Sequence, residues 1–172
     1  MTQAASFFYE TEIEWKGERT GSLSGADLPS IGVGAPPEFN GHKGRWSPEQ
    51  LLVASVNSCY VLTLLAIAEN SKIPLVSFVS SAKGKLERVE GAGYQVTEIT
   101  IKPKIVVASA KDVERVSRII EKAKQNCFVS NSIKSAITLE PQIFHQQTPA
   151  SPCPPLGGSP GAGESSSQTK RS

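Results

Sequence analysis

The sequence predicts an α+β fold: an antiparallel sheet with a long buried central helix and a second helix set against it. Three observations lead there. Strand-like alternation precedes the chain's long apolar run, and that run opens on a helix-start signature. Two apolar segments joined by a glycine-rich turn follow it, and then a second helical stripe. The order strands, helix, hairpin, helix, strand segregates the helices from the sheet.

Phe7 to Trp15 alternates Tyr9, Thr11, Ile13 and Trp15 with Glu10, Glu12 and Glu14, the pattern of a half-buried strand. Residues 16–21 read as a turn into a second strand near Arg19 to Leu23. Residues 24–45, rich in glycine and proline, predict an irregular connection with a short strand around Ile31 to Val33. A loop this long inside a domain is often functional.

Ser47-Pro48-Glu49-Gln50 starts the first helix, with Ser47 as N-cap, Pro48 at the first helical position and Gln50 completing a capping box. The helix should run to about Asn70. It is apolar nearly all round, through Leu51, Leu52, Val53, Val56, Val61, Leu62, Leu64, Leu65 and Ile67. The stretch barely reaches membrane-spanning length and carries Ser55, Asn57, Ser58 and Thr63, so a buried core helix is the better reading. A helix apolar on most sides is surrounded by protein. One sheet covers only one side, and a second subunit is the natural cover for the other, which predicts a homodimer.

Leu75 to Val89 and Gly93 to Val107 form the hairpin, turning at Gly91-Ala92-Gly93; Pro103 suggests an edge position or a bulge. Ser109 caps the second helix, whose stripe is Val113, Val116, Ile119, Ile120 and Ala123. A short turn near Ser130 and a last strand from Ala136 to Phe144 close the domain, residues 1–145. From Gln146 to Ser172 proline, glycine and serine dominate, a composition that cannot offset its ordering entropy and predicts a disordered tail.

Of 172 residues, 38% are hydrophobic and the net charge is +2 with scattered lysines and arginines, which argues against a nucleic-acid partner. The start of the chain carries no secretory signature and the cysteines number three, Cys59, Cys127 and Cys153, which favours reduced thiols in the cytoplasm over a disulfide scaffold. Cys153 falls in the tail and reads as incidental. His42 and His145 are the only histidines and no Cys-x-x-Cys occurs, so no metal or other cofactor is expected.

Cys59 lies mid-helix. Read alone it is a small hydrophobe filling a core gap. The polar neighbours Asn57, Ser58 and Thr63 each need a partner, and suggest a pocket or a wet interface nearby. Cys127 continues the stripe of the second helix, following Val116, Ile120 and Ala123 at helical spacing, so the two thiols can face each other. A pair in reach supports peroxide chemistry: one thiolate becomes a sulfenic acid and the other condenses with it.

Two motifs sharpen this. Gly41 to Cys59 (GHKGRWSPEQLLVASVNSC) resembles the OsmC/Ohr family pattern of Gly-x-x-Gly, then Pro-Glu-Glu/Gln-Leu, then a small-residue helix ending in Cys. Glu121 to Ser130 (EKAKQNCFVS) resembles that family's Ala-x-x-x-Cys-Pro-Val-Ser, with Phe128 where proline is usual. The resemblance implies an OsmC-like intertwined homodimer, with Cys59 as peroxidatic and Cys127 as resolving cysteine. It also implies that Glu49 steadies an arginine over the reactive sulfur. Arg19, after the first strand, stands like the arginine of the Ohr branch; Arg45, beside the helix start, is the other candidate. Where the OsmC branch carries its arginine, this chain has Glu38. Glu49 and Cys59 lie ten residues apart on one helix, about 15 Å along its axis, so the implied site takes residues from both chains. Phe39, Trp46 and Phe128 would line an apolar substrate pocket. The implied activity is reduction of organic hydroperoxides to alcohols through a Cys59–Cys127 disulfide, reset by a dithiol such as a lipoylated protein or by a small thiol. A non-catalytic redox sensor or small-ligand binder on the same scaffold is the alternative.

Overall fold

The computed structural model describes residues 5–146. The tail assigned to residues 146–172, with Cys153, lies outside the described residues except for Gln146. Eleven elements follow in order: β1 (Glu12–Trp15), β2 (Thr20–Ser24), β3 (Ile31–Gly34), a 3-10 turn (Pro37–Phe39), α1 (Pro48–Asn70), β4 (Leu75–Val89), β5 (Gly93–Val107), α2 (Ala110–Gln125), α3 (Phe128–Asn131), β6 (Ala136–Leu139) and β7 (Gln142–His145).

The strands make two sheets. β1-β2-β3 is an antiparallel meander. The expected Phe7–Trp15 strand is paired only over Glu12–Trp15, and no residue of it is buried in the single chain: Ile13 and Trp15 both stand exposed. Alternation predicts a face that wants cover, and nothing among the described residues supplies it.

The second sheet is built on the long β4–β5 hairpin. The expected last strand is two pieces, broken at Glu140-Pro141, and both run parallel to β5 rather than antiparallel. β5 is therefore central, not an edge. Pro103 pairs in register with Ser80 and lies opposite the gap between β6, whose pairing ends at Ile101, and β7, whose pairing begins at Lys104. A proline fits a central strand there because the neighbouring ladder is already interrupted.

α1 begins with the expected capping box: Gln50 N–H donates to Ser47 Oγ at 3.2 Å and Ser47 N–H donates to Gln50 Oε1 at 3.0 Å. Its length and composition would suit a membrane span, but Val56, Tyr60, Leu64 and Ala68, four residues apart, bury one face. That face joins Ile99, Ile101, Ile105 and Val107 of β5 and Val116, Ile120 and Ala123 of α2 in one core. The approach to the sheet is close. A Cβ on Gly84 of β4 would come within 2.5 Å of Val53 Cγ2, so only glycine allows it. Asn57 also faces the sheet: Ser80 Oγ donates to its Oδ1 at 2.6 Å and its Nδ2 donates to Ser80 O. Its polarity is answered by β4 and does not mark a pocket. The opposite face of α1, with Ser58, Leu62, Leu65 and Ala66, is exposed, Leu62 at 65%.

α2 is amphipathic as expected. Ser109 is its N-cap residue but makes no cap bond to the backbone; its hydroxyl donates to Asp112 Oδ2, while Arg115 pairs the other oxygen, Oδ1, at 2.7 Å. Those donors hold the Asp112 carboxyl below the usual carboxylate range. Arg115 reaches on to Ser71 O, tying the start of α2 to the end of α1.

Candidate active site

Cys59 sits one residue before Tyr60, at the margin of the buried face of α1, where α3 packs across the helix. Cys127 completes the buried stripe of α2 and is fully enclosed. The chain then turns at once into α3, with Cys127 as its N-cap residue; Ser130, expected to cap a short turn, is instead the third residue of this one. Asn131 Nδ2 donates to Gln125 O at 3.0 Å and pins α3 to the end of α2. The first N–H groups of any helix lack intrahelical acceptors, and in α3 they have two sulfurs in front of them.

The two thiols meet, and both are free. Burial by itself would push the Cys59 thiol up. The neighbouring Val129 N–H, Cys127 thiol, Thr63 hydroxyl and Phe128 N–H outweigh that, and together they hold it below the ordinary thiol range. Burial pushes Cys127 up. Ser130 opposes this through its side chain, whose Oγ donates to Cys127 Sγ at 3.0 Å, and through its N–H; the neighbouring Cys59 sulfur adds to the rise. The two thiols are therefore driven apart in acidity, Cys59 down and Cys127 up.

A hollow of about 680 Å³ opens over Cys59, lined chiefly by Leu62, Thr63, Ala66, Ile67, Phe128 and Val129, with Ser55, Ser58, Lys122 and Asn126 at its polar margin. Phe128 forms a wall of it and is 81% exposed. Ser58 and Thr63 thus mark a pocket as expected.

Glu49, Arg19 and Phe39 belong elsewhere. Phe39, Arg45, Glu49 and Tyr94 line a second hollow, of about 650 Å³, at the start of α1. Arg19 reaches Phe39 O at 2.7 Å, and Phe39 stacks edge-on against Tyr94 with centroids 5.4 Å apart. Glu49 Oε2 is buried with no partner among the described residues. Gly41 lets this loop close: a Cβ there would lie 1.6 Å from Ala35 O. Trp46, the third expected pocket residue, lines neither hollow; it pairs with Val33 as an isolated bridge. So one chain brings together Cys59, Cys127 and Phe128, and separately Arg19, Phe39, Arg45 and Glu49, but does not join the two groups.

Sequence reasoning missed the donors that act on the sulfurs. Thr63 was visible only as a polar residue in an apolar helix. Ser130 carried a readable signal: it stands three residues after Cys127, the spacing at which an N-cap side chain meets the third helical residue. The backbone donors at Phe128 and Val129 leave no mark in composition. Among the described residues no group of three or more His, Cys, Asp or Glu is placed to hold a metal ion.

An α+β scaffold that carries two apposed free thiols on adjoining helices defines a class of small thiol proteins, and the comparisons give the family. The model for OsmC-like protein matches residues 41–142, and the chain belongs to that family. It is 30% identical over 135 residues to peroxiredoxin OsmC of Escherichia coli (strain K12), covering 78% of this chain and 92% of the relative. Its fold is similar to that of an OsmC-like protein of unknown function from Vibrio cholerae, with a TM-score of 0.73 at 21% identity over 79% of this chain and 99% of that one. It is also similar to an organic hydroperoxide resistance protein OsmC from Legionella pneumophila, with a TM-score of 0.63 at 20% identity over 82% of this chain and 99% of that one.

Proposed function

We propose that the protein is a homodimeric thiol peroxidase that reduces organic hydroperoxides to alcohols. The observation that carries this reading is the Cys59–Cys127 pair, with Cys59 held below the ordinary thiol range and facing an apolar hollow. The Cys59 thiolate attacks the distal oxygen of the hydroperoxide. The O–O bond breaks, Cys59 becomes a sulfenic acid, and the alkoxide leaves and takes a proton to become the alcohol. Cys127 then attacks the Cys59 sulfur, hydroxide leaves as water with the Cys127 proton, and a disulfide remains. An external dithiol reduces it and is itself oxidised. The apolar lining favours alkyl hydroperoxides over hydrogen peroxide.

Two features support a dimer. The exposed face of α1 and the bare β1 strand leave Leu62, Leu65, Ile13 and Trp15 in water, which a second copy relieves. The orphaned Glu49 carboxylate and the Arg19 guanidinium form a half-site about 15 Å along α1 from Cys59. An antiparallel partner helix brings the other copy's half-site over the thiol. A cycle that needs both thiols reduced at the start suits the cytoplasm.

The test follows consumption of an alkyl hydroperoxide with a dithiol present, for wild type and Cys59→Ser. Loss of activity in the variant supports the reading; equal rates overturn it. Sedimentation should give twice the chain mass for wild type, and a monomer for Leu62→Glu.

A further inference from the structure

The hydrogen bond from Ser130 to Cys127 has no part in the attack on peroxide, yet it places a hydroxyl 3.0 Å from the buried sulfur. Cys127 is fully enclosed, and Cys59 opens to a hollow. An incoming thiol meets only one of the two sulfurs without displacing the core. Thiol–disulfide exchange also depends on which sulfur leaves, and a stabilised thiolate leaves faster. The structure, with both thiols free, is the product side of that exchange. In it Ser130 Oγ–H is already directed at Cys127 Sγ, 3.0 Å away.

We infer that Ser130 is a positioning residue that polarises the Cys59–Cys127 disulfide: it receives Cys127 as the leaving thiolate, so that the reducing thiol attacks Cys59. The inference rests on the disulfide cycle proposed above. The thiolate of the reductant forms a bond to Cys59 Sγ while the Cys59–Cys127 bond breaks, and the electron pair goes to Cys127. The second thiol of the dithiol then attacks the mixed disulfide, releases Cys59 as thiolate and leaves the reductant as its own disulfide. Ser130 keeps its proton throughout and acts as donor.

The position of Ser130 explains why it, rather than another donor, does this. Cys127 ends the stripe of α2 and begins α3, so its sulfur is turned back under the first turn, where the residue three ahead presents both its N–H and its side chain. The Phe128 and Val129 N–H groups serve Cys59 instead. The donors of one helical turn are thus divided between the two sulfurs.

The experiment begins from wild-type protein oxidised to the disulfide with diamide, which makes the starting state without a peroxide. A short exposure to glutathione, acid quench and alkylation precede peptide mass mapping. Glutathione on Cys59 with Cys127 free is the expected result; glutathione on Cys127 overturns the inference. In parallel, reduction of diamide-oxidised Ser130→Ala by dithiothreitol should be about tenfold slower than wild type, the loss expected for one charge-assisted hydrogen bond, with Ser130→Thr restoring most of it. An unchanged rate overturns the inference. In a Cys59→Ser background, Ser130→Ala should move the Cys127 thiolate absorbance to higher pH, which a purely structural role would not do. If hydroperoxide fails to form the disulfide in wild type, the peroxidase reading falls, and the diamide-based result still decides the role of Ser130.

Discussion

The middle and the start of α1 carry two groups of residues of opposite character. At its middle, Cys59 has its donors from the same chain: Val129, Cys127, Thr63 and Phe128 all reach its sulfur. At its start, Glu49 has an oxygen buried with no partner, and Arg19 spends a donor on the carbonyl of Phe39. The first half is self-sufficient in hydrogen bonds, and the second is not. A buried carboxylate oxygen without a donor is costly, so the second half reads as a surface waiting for another copy. The lesson is that the Cys59 thiol is lowered by groups of its own chain, whereas the proposed site needs a second copy to bring a cation to it.

Removing the nucleophile is the largest break in that comparison. Cys59→Ser should lower hydroperoxide turnover on the order of 1,000-fold or more. Cys127→Ser should keep a single turnover and accumulate the sulfenic acid, which a dimedone adduct detected by mass spectrometry reports. Next comes the claim that the halves belong to different copies. Glu49→Ala should cost about tenfold in turnover. Co-expressed Cys59→Ser and Glu49→Ala chains should regain about a quarter of wild-type activity, because each mixed dimer then holds one intact site. No recovery would place both halves of the site on one chain.

A smaller effect sharpens the self-sufficient half. The donors favour the charged form of Cys59, so its reactivity toward iodoacetamide should be full above a midpoint that lies below the ordinary thiol range and lost as pH falls through it. Thr63→Val removes one donor and should raise that midpoint; no movement would assign the shift to the backbone alone. The smallest effect concerns the fully buried Tyr60, whose hydroxyl has no partner in the chain. Burial, then the charges of Glu121 and Cys127, push its phenol up, so it stays neutral. Tyr60→Phe deletes an unsatisfied group at nearly constant shape and should stabilise by about 1 kcal/mol in urea denaturation. Destabilisation would mean that the hydroxyl finds a partner in the dimer.

Much of the fold was legible. The capping box at Ser47, the hairpin across Gly91 to Gly93 and the α2 stripe each rest on interactions between residues close in sequence, and each stands where expected. The misreadings share one cause. The Phe7–Trp15 strand lost half its length, the last strand split at Glu140-Pro141, and Pro103 entered a central strand, because pairing partners far along the chain decide each of these. The site divides the same way. Cys59 and Cys127 were found from helical spacing and family motifs, and so was the pocket wall Phe128. Trp46 was misplaced, since β-pairing with Val33 rather than hydrophobicity sets where it goes. Asn57 was taken for a pocket marker because a sequence does not show that Ser80 stands across from it.

The sequence by itself determined which segments are helical, which faces are apolar and which two thiols sit at helical positions able to meet. Period, caps and motif spacing are local, and a linear chain records them. Only the tertiary structure decided how the donors are shared out: Val129 and Phe128 to one sulfur, Ser130 to the other. That division depends on the angle at which α3 leaves α2 and crosses α1. Such an angle is set by packing volume across the core, and no run of residues encodes it alone.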